Sequence, residues 1–245
     1  MLMSEHSNRV AVVTGASRGL GLAIVKKLAS EGFDIAACSR SRSDGLETVM
    51  AAYPGIRFFV LHLDDADAIK TCAQNIFREY ARIDALVNVA GVAAGGLFTM
   101  TKIDDMKSIF DINYFHQILF TQYIVKKMMR TKSGSIVNIA STTGSRADAG
   151  TLAYGGSKAA LIHATGVMAT ELGPFGIRVN AISPAVVETD MATTMDDQAK
   201  ALLDARSALS GKIEPQDVAD LVSFLVSQNA SKMTGQTLRL DRGLH

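Results

Sequence analysis

The first ninety residues alternate short apolar runs with longer segments of helical spacing. The run 10–13 has the length and composition of a strand buried on both faces, and 20–30 repeats apolar residues every three or four positions. This alternation predicts a parallel sheet with right-handed crossovers and helices on both faces. The predicted strands are 10–13, 33–38, 57–63 and 85–90, and the predicted helices are 20–30, 45–53 and 65–80.

The second half of the chain continues the alternation. The segment 103–130 is apolar on more than one side, which predicts a helix covered by the sheet and by a second copy of the chain; burial in the core alone is the other interpretation. The segment 190–210 is polar with weak helical spacing, which suits a mobile substrate flap. Further strands are predicted at 135–140, 176–182 and 236–240, and further helices at 153–172 and 215–226.

The expected fold is therefore an α/β, doubly wound parallel sheet of the Rossmann type with about seven strands. No linker rich in proline or serine divides the chain, so residues 1–245 are expected to form a single domain that begins with a polar tail at 1–8.

Composition excludes several classes of partner. The chain is 48% hydrophobic with a net charge of +1 and no run of like charges, so neither nucleic acid nor an anionic membrane is expected to bind. The apolar stretch 85–98 is too short and too interrupted to span a bilayer, and the polar start is not a signal peptide. Cys38 and Cys72 lack the spacing of metal ligands, so we expect a cytoplasmic protein without a metal site.

A glycine-containing loop joins the first predicted strand to the first helix. Gly15, Gly19 and Gly21 form a G-x3-G-x-G pattern, a variant of the dinucleotide fingerprint. Glycines let the backbone approach a diphosphate, which the N–H groups and positive potential of a helix N-terminus attract. The alternative is a tight turn without a ligand.

The same loop also matches the G-x-S-x-G elbow of serine hydrolases, with Ser17 as the nucleophile. His163 and His245 follow it along the chain as formal partners. The elbow comes after the first strand rather than deep in the sheet, so this second hypothesis has poor structural context.

Arginines flank the place where the cofactor ribose is expected. An acidic residue that binds a free 2′-hydroxyl would stand at the end of the second strand, but the first acid there is Asp44. Arg18 and Arg40 instead suit a 2′-phosphate, which favours NADP(H) over NAD(H). Two solvated surface arginines are the alternative interpretation.

Tyr154 and Lys158 lie four residues apart in a predicted helix and therefore share a face. A fixed cation favours the phenolate, so we expect the pKa of Tyr154 to fall from about 10 toward neutrality. A tyrosine tuned in this way exchanges protons at physiological pH. A solvated surface pair is the alternative.

These patterns occur in one order along the chain, and the order carries a family resemblance. The chain resembles the short-chain dehydrogenase/reductase family over nearly its whole length, and within it the 3-oxoacyl-(acyl-carrier-protein) reductases. The matching motifs are the glycine loop from Thr14, Asp64, Asn88-Val89-Ala90-Gly91, Asn113, Ser141, Tyr154-x3-Lys158, and Asn180-x3-Pro184 with Thr189.

The resemblance implies a hydride-transfer enzyme with four catalytic residues. Tyr154 would protonate the carbonyl oxygen, Lys158 would lower the pKa of Tyr154 and bind the nicotinamide ribose, and Ser141 would donate to the reacting oxygen. Asn113 would hold a water in a proton relay; a structural amide in a long helix is the other interpretation.

The resemblance also implies the cofactor site. Asp64 would accept from the adenine amino group, with helix capping as its alternative role, and Asn88 would hold the sheet near the adenosine. The residues expected to bind the cofactor are Gly15, Ser17, Arg18, Gly19, Leu20, Gly21, Ser39, Arg40, Asp64, Asn88, Ala90, Gly91, Tyr154, Lys158, Pro184, Val187 and Thr189.

The expected reaction is NADP(H)-dependent reduction of a carbonyl, with a 3-oxoacyl thioester as substrate and acyl carrier protein as its possible carrier. Another small ketone, sugar or secondary alcohol is the alternative substrate, and a binding protein without turnover is a third hypothesis. A homotetramer or homodimer is expected. The chain departs from the family pattern at Val89, Ala185 and Arg242, where asparagine, glycine and glycine respectively are usual. It also has Phe175 where a basic residue that docks the carrier protein is usual. Lys132 stands where the other docking base is expected.

Overall fold

The computed structural model describes residues 9–189 and 197–244. Within them, seven strands form one wholly parallel sheet, which confirms the predicted fold class. The strands are β1 Val10–Thr14, β2 Asp34–Ser39, β3 Ile56–Val60, β4 Ala85–Asn88, β5 Gly134–Ile139, β6 Ile177–Pro184 and β7 Thr237–Leu240. Their order is β3-β2-β1-β4-β5-β6-β7, so the winding reverses between β1 and β4. The carboxyl ends of the strands flank a crevice at such a reversal, where sheets of this kind bind ligands.

Helices cover both faces of the sheet, and local sequence signals start several of them. Ser43 Oγ accepts from the N–H of Leu46 at the start of the second helix, and Pro215 occupies the first position of the last. The helices are α1 Gly19–Ser30, α2 Asp44–Ala52, α3 Ala66–Glu79, α4 Ile103–Phe110, α5 His116–Thr131, α6 Leu152–Leu172, α7 Asp197–Ala205 and α8 Pro215–Val226.

The five inner strands are buried on both faces, so their successive residues enter two different cores. Val13 packs in a cluster with Ile24 of α1 and Val222 of α8, while Val12 packs in a second cluster with Ile76 of α3 and Ile124 of α5. Full burial of each such side chain stabilises the fold by about 1.5–3 kcal/mol. The two cores hold β1 and β4 rigidly and so fix the crevice between them.

The predicted helix over 103–130 is helical throughout, but its geometry changes in the middle. A π-helix at Asp111–Phe115 separates α4 from α5 and carries the buried Asn113. The amide of Asn113 bonds to the backbone of Val92, outside the helix. Single π-helical turns inside helices frequently mark functional sites.

The predicted flap at 190–210 is described only in part. Residues 190–196 lie outside the described ranges, as does the predicted tail 1–8, and α7 occupies Asp197–Ala205. Val187 pairs with Ile213 in an isolated parallel bridge, and Lys212 Nζ lies 2.9 Å from a carboxylate oxygen of Glu188. The segment therefore leaves and rejoins the body of the protein at adjacent positions.

Cys38 and Cys72 are both buried and free. Across residues 9–189 and 197–244, no three His, Cys, Asp or Glu side chains are grouped as metal ligands. In the same ranges, no helix has the length and apolar character needed to cross a bilayer.

Candidate active site

The glycine loop lies in the crevice at the carboxyl end of β1, beside the end of β4. Gly15 has a φ of +68°, in the left-handed region that favours glycine, and a Cβ on Gly21 would overlap the Gly15 carbonyl. Thr14 Oγ1 accepts from the N–H groups of Val89 and Ala90, at 2.9 and 3.1 Å. The backbone of this loop is thus tightly folded and open to close approach by a ligand.

The N-terminus of α1 is suited to an anion. Its N-cap residue, Arg18, has an extended backbone and no side-chain cap bond to the helix, and the first turn contains no acidic residue. The unpaired N–H groups and the positive end of the helix dipole therefore face the crevice without a competing carboxylate. A diphosphate fits this donor set.

The carboxyl end of β2 presents a basic residue. Ser39 is buried and donates its hydroxyl to the Ser41 carbonyl at 2.9 Å, while Arg40 is exposed. The guanidinium of Arg42 lies 5.2 Å from the ring centroid of Phe58. Arg40 and Arg18 are both exposed at the ends of neighbouring strands, β2 and β1.

Asp65, rather than Asp64, caps the helix that follows β3. Asp65 Oδ1 accepts from the N–H groups of Asp67 and Ala68, at 2.8 and 3.1 Å. The capping role considered for Asp64 is therefore wrong. The carboxylate of Asp64 is two-thirds exposed, with His62 Nδ1 at 3.8 Å.

Asn88 is buried in a row of polar side chains beneath the crevice. Its Nδ2 donates to Thr121 Oγ1 and to Asn138 Oδ1, both at 2.9 Å, and Asn138 Nδ2 donates to Thr165 Oγ1 at 2.9 Å. The row ties β4 and β5 to α5 and α6. Asn88 therefore supports the crevice indirectly, because its hydrogen bonds hold the ends of β4 and β5 in place.

Ser141 and Tyr154 come together at the end of β5 and the start of α6. The Tyr154 hydroxyl is hydrogen-bonded to the Ser141 side chain, and Ser141 Oγ accepts from Thr143 Oγ1 at 2.9 Å. A Cβ on Gly155 would lie 2.8 Å from the Thr143 carbonyl, and Gly144 meets α6 equally closely. These two glycines allow the loop and the helix to approach until the hydroxyls meet.

Lys158 is buried one helical turn beyond Tyr154. Its Nζ donates to the Ile139 carbonyl at 2.8 Å and lies 5.8 Å from the ring centroid of Tyr154. Burial lowers the pKa of Lys158 to about 8. The ammonium therefore lies at the edge of its charged range near neutral pH.

The expected fall in the pKa of Tyr154 is wrong for this structure. Burial raises the pKa of the phenol, and the hydrogen bond with Ser141 acts in the opposite direction without reversing the shift. Lys158 directs its ammonium to the Ile139 carbonyl rather than to the phenol oxygen. The phenol is consequently held in its protonated form at neutral pH.

Asn113 and Gly91 complete the group around Lys158. Asn113 Oδ1 accepts from the Val92 N–H, and its Nδ2 donates to the Val92 carbonyl, both at 2.8 Å. A Cβ on Gly91 would lie 3.1 Å from Asn113 Oδ1 and 3.6 Å from Lys158 Nζ. Only a glycine leaves this space between the amide and the ammonium open.

Ser157 is a site residue that the sequence prediction missed. Its hydroxyl donates to the Tyr154 carbonyl at 2.7 Å and accepts from Asn113 Nδ2 at 3.1 Å. Ser157 therefore joins the π-helix to the helical turn that carries Tyr154 and Lys158. Its position between Tyr154 and Lys158 in the sequence is the feature that could have indicated a role in the site.

The strand end at Pro184 leads from β6 back to the glycine loop. The Ala185 N–H donates to the Leu240 carbonyl at 3.0 Å, and a Cβ on Gly19 would lie 3.5 Å from Thr189 Cγ2. Val187, Thr189 and the α1 N-terminus thus border the same crevice. The structure brings the predicted residues from β1, β4, β5, β6 and α6 to one edge of the sheet.

A family model described as enoyl-(acyl carrier protein) reductase matches residues 15–245. The chain is 34% identical over 239 residues to a 3-oxoacyl-(acyl-carrier-protein) reductase of Thermotoga maritima, with 96% of the chain and 97% of that protein covered. The chain belongs to the short-chain dehydrogenase/reductase family. As a short-chain dehydrogenase/reductase, it is an oxidoreductase of the ketone–alcohol class.

Two other oxidoreductases are similar over nearly the whole chain. A meso-2,3-butanediol dehydrogenase of Serratia marcescens is 31% identical, with 98% of the chain and 95% of that protein covered. The crystal structure of a tryptophan variant of actinorhodin polyketide ketoreductase with NADPH has a TM-score of 0.90 and 28% identity, with 99% of each chain covered. The family assignment leaves the hydrolase hypothesis unsupported, and within the described residues the Ser17 side chain bonds to no histidine.

Proposed function

We propose that the protein reduces a carbonyl to a secondary alcohol with NADP(H), and that residues 1–245 act as one domain. Asn113, Ser141, Tyr154 and Lys158 are the proposed catalytic residues. The observation that carries the proposal is the hydrogen bond between Ser141 and Tyr154, beside a buried Lys158, at the crevice that also holds the glycine loop.

The cofactor, when bound, supplies the hydride. The Tyr154 hydroxyl provides the proton to the carbonyl oxygen: the phenol is protonated at neutral pH, and the hydrogen bond with Ser141, which opposes the rise in its pKa, favours release of that proton. Ser141 Oγ, already fixed by its bond from Thr143, donates to the same oxygen and stabilises the charge that develops on it. The reverse reaction uses the same two groups to take the proton away.

Lys158 and Asn113 return the proton to Tyr154. Lys158 has a pKa of about 8, so it exchanges protons near neutral pH, and its ammonium would also hold a ribose hydroxyl of the bound cofactor. Asn113 Oδ1 uses one acceptor position for Val92, which leaves a second for a water in the relay. Structural and catalytic roles for Asn113 are therefore compatible.

The choice of NADP(H) over NAD(H) rests on charge at the crevice. Arg18 and Arg40 are exposed at the ends of β1 and β2, and no acid follows β2 before Asp44. A 2′-phosphate would bind such guanidinium groups through charge-assisted hydrogen bonds, whereas a free 2′-hydroxyl would lack its acidic acceptor. The polyketide ketoreductase of similar structure was solved with NADPH, which agrees with this proposal.

The proposed substrate is a 3-oxoacyl thioester, the class named for the Thermotoga relative. Docking of an acyl carrier protein would use Lys132, whose carbonyl contacts Gly176 next to Phe175. Phe175 is packed against the core cluster instead of offering a second base. This apolar substitution favours the second candidate, a small free ketone or alcohol of the kind named for the Serratia relative.

A homotetramer or homodimer is proposed on apolar exposure. Ile103 in α4, Phe115 in the π-helix and Val167 in α6 are 62%, 55% and 42% exposed. Exposed apolar residues on adjacent helices are typical of a surface that a second copy covers. A cytoplasmic location agrees with the family and stays a prediction.

The direct test is a panel of ketones mixed with the protein and either NADPH or NADH. The panel contains a 3-oxoacyl thioester on acyl carrier protein, the same acyl group on coenzyme A, and small diketones. We expect NADPH consumption with at least one carbonyl and little with NADH. If a fluorescence titration shows that the protein binds neither nucleotide, the proposal is refuted. Labelling of Ser17 by a fluorophosphonate would instead support the serine hydrolase hypothesis.

A further inference from the structure

Arg242 has an unusual backbone conformation for a residue with a side chain. Its φ is +58°, in the left-handed region that glycine enters without steric cost. The guanidinium is nevertheless largely buried, with the side chain only 15% exposed. Contacts of the side chain must offset the strained backbone for an arginine to stand here.

All the hydrogen bonds of Arg242 go to one short stretch of chain, residues 204–211, which we call the return limb. The guanidinium donates to the carbonyls of Leu209 and Gly211 and to the carboxylate of Asp204. The Arg242 carbonyl accepts from the Leu209 N–H at 3.0 Å. The return limb begins in the last turn of α7 and leads to Ile213, so Arg242 fastens the second half of the predicted flap to the end of β7.

The return limb faces the loop between two catalytic residues. Arg206 lines a cavity of about 450 Å³ together with Arg146 and Asp148, which lie between Ser141 and Tyr154. The Asp148 carbonyl accepts from the Thr151 hydroxyl at 2.7 Å, immediately before α6. A shift of the return limb therefore changes a cavity that borders the catalytic loop.

We propose that Arg242 is a positioning residue that latches the return limb against the sheet, so that this limb forms a fixed wall of the substrate entrance. The role in the substrate entrance rests on the proposed function, carbonyl reduction. The contact between Arg242 and the return limb does not depend on that function. Arg242 touches no proposed catalytic or cofactor-binding residue among its hydrogen-bond partners. It would therefore affect the entrance for the ketone and leave nucleotide binding unchanged.

The latch has two chemical requirements that variants can separate. A planar guanidinium bonds to two carbonyls and a carboxylate at once, which a lysine ammonium on a flexible stem does less well. Arg242→Gly relieves the left-handed backbone but removes every side-chain bond, and Asp204→Asn removes only the ionic partner. Arg57→Ala is the control, because Arg57 forms an exposed ion pair with Glu79 at the opposite edge of the sheet.

Amide hydrogen exchange of residues 201–211 measures the latch without any turnover. We expect faster exchange there in Arg242→Gly and Asp204→Asn, a smaller change in Arg242→Lys, and none in Arg57→Ala. With the preferred ketone, KM should rise about tenfold in Arg242→Gly at nearly constant NADPH affinity, because only the latched fraction of molecules binds substrate well.

Two results would overturn the inference. Unchanged exchange in Arg242→Gly would show that the limb is held without the arginine. Faster exchange with an unchanged KM would show that the latched limb is not a wall of the entrance. Failure of the wild-type protein to bind NADPH would refute the proposed function, whereas the exchange result would still decide whether Arg242 holds the limb.

Discussion

At the scale of single residues, burial rather than charge pairing sets the proton affinities in the proposed catalytic group. Tyr154 and Lys158 lie one helical turn apart, yet the ammonium bonds to the Ile139 carbonyl and burial raises the pKa of the phenol. Burial lowers the pKa of Lys158 at the same time. Burial thereby shifts both groups toward their neutral forms, so the phenol holds its proton at neutral pH and Lys158 exchanges protons close to neutral pH.

Lys158 should make stability depend on pH. Its folded pKa of about 8 lies below the roughly 10.4 of an unfolded lysine, so the unfolded chain binds more protons between these values. The free energy of unfolding contributed by Lys158 is constant below pH 8 and rises by about 3 kcal/mol as pH increases toward 10.4. Urea unfolding of wild type and Lys158→Met at several pH values isolates this contribution, and a constant difference between the two proteins would contradict it.

Arg40 should determine the cofactor preference. A charge-assisted hydrogen bond contributes roughly 1.5–3 kcal/mol, so Arg40→Asp should shift the ratio of NADPH to NADH affinity toward NADH by about 10- to 100-fold. Fluorescence titration with both nucleotides measures the ratio. An unchanged preference for NADPH would show that Arg40 is only a solvated surface residue; Arg57→Asp serves as the control for the change in charge.

Sequence reasoning at this scale identified the types of residue but not their contacts. The spacing of Tyr154 and Lys158 correctly placed them on one helix, whereas the direction of the ammonium depended on the Ile139 carbonyl, nineteen residues away along the chain. Asp64 and Asp65 are chemically equivalent in the sequence, and only the backbone geometry shows that Asp65 caps α3.

At the scale of elements, the π-helix at Asp111–Phe115 positions Asn113. The widened turn brings the amide to the backbone of Val92 and to the Ser157 hydroxyl, which links the loop after β4 to α6. Helical spacing in the sequence predicted a helix but not its π-helical turn, because one extra residue in a turn barely changes an apolar pattern. The interruption arises from these tertiary hydrogen bonds.

Asn113→Ala should destabilise the protein as well as slow it. The substitution removes the two part-buried hydrogen bonds to the Val92 backbone and the buried hydrogen bond to Ser157 Oγ, at a total cost of about 2 kcal/mol or more in the free energy of unfolding. Chemical denaturation followed by circular dichroism measures this loss. Asn229→Ala, at an exposed asparagine, is the matched control; equal stabilities of the two variants would contradict the role given to Asn113.

At the scale of the whole molecule, the order of the strands brings distant motifs to one edge of the sheet. Apolar runs separated by helical segments predicted all seven parallel strands, and the five inner strands are buried on both faces. The pattern did not predict how the chain outside the sheet is arranged. The hydrogen bonds between Arg242 and the return limb join residues more than thirty positions apart in the sequence. Hydrophobic periodicity describes local structure and does not predict such contacts.

The proposed assembly makes a prediction at the same scale. Phe115→Asp places a charge on an exposed apolar surface and should reduce the molecular mass in solution from that of a tetramer or dimer to a smaller species. Sedimentation velocity measures the change. Val60→Asp, at an exposed apolar residue on the edge strand β3, should leave the assembly intact. A monomeric wild type would refute the predicted oligomer.

The central claim is that Tyr154 transfers a proton in an NADP(H)-dependent reduction of a carbonyl. The most direct measurement is the rate of NADPH consumption with a 3-oxoacyl thioester, compared between wild type and Tyr154→Phe. The account predicts that the variant binds NADPH as tightly as wild type but loses kcat by about 10²- to 10⁴-fold, the usual contribution of a general acid. Equal rates in the two proteins, or no NADPH consumption by wild type with any carbonyl, would contradict it.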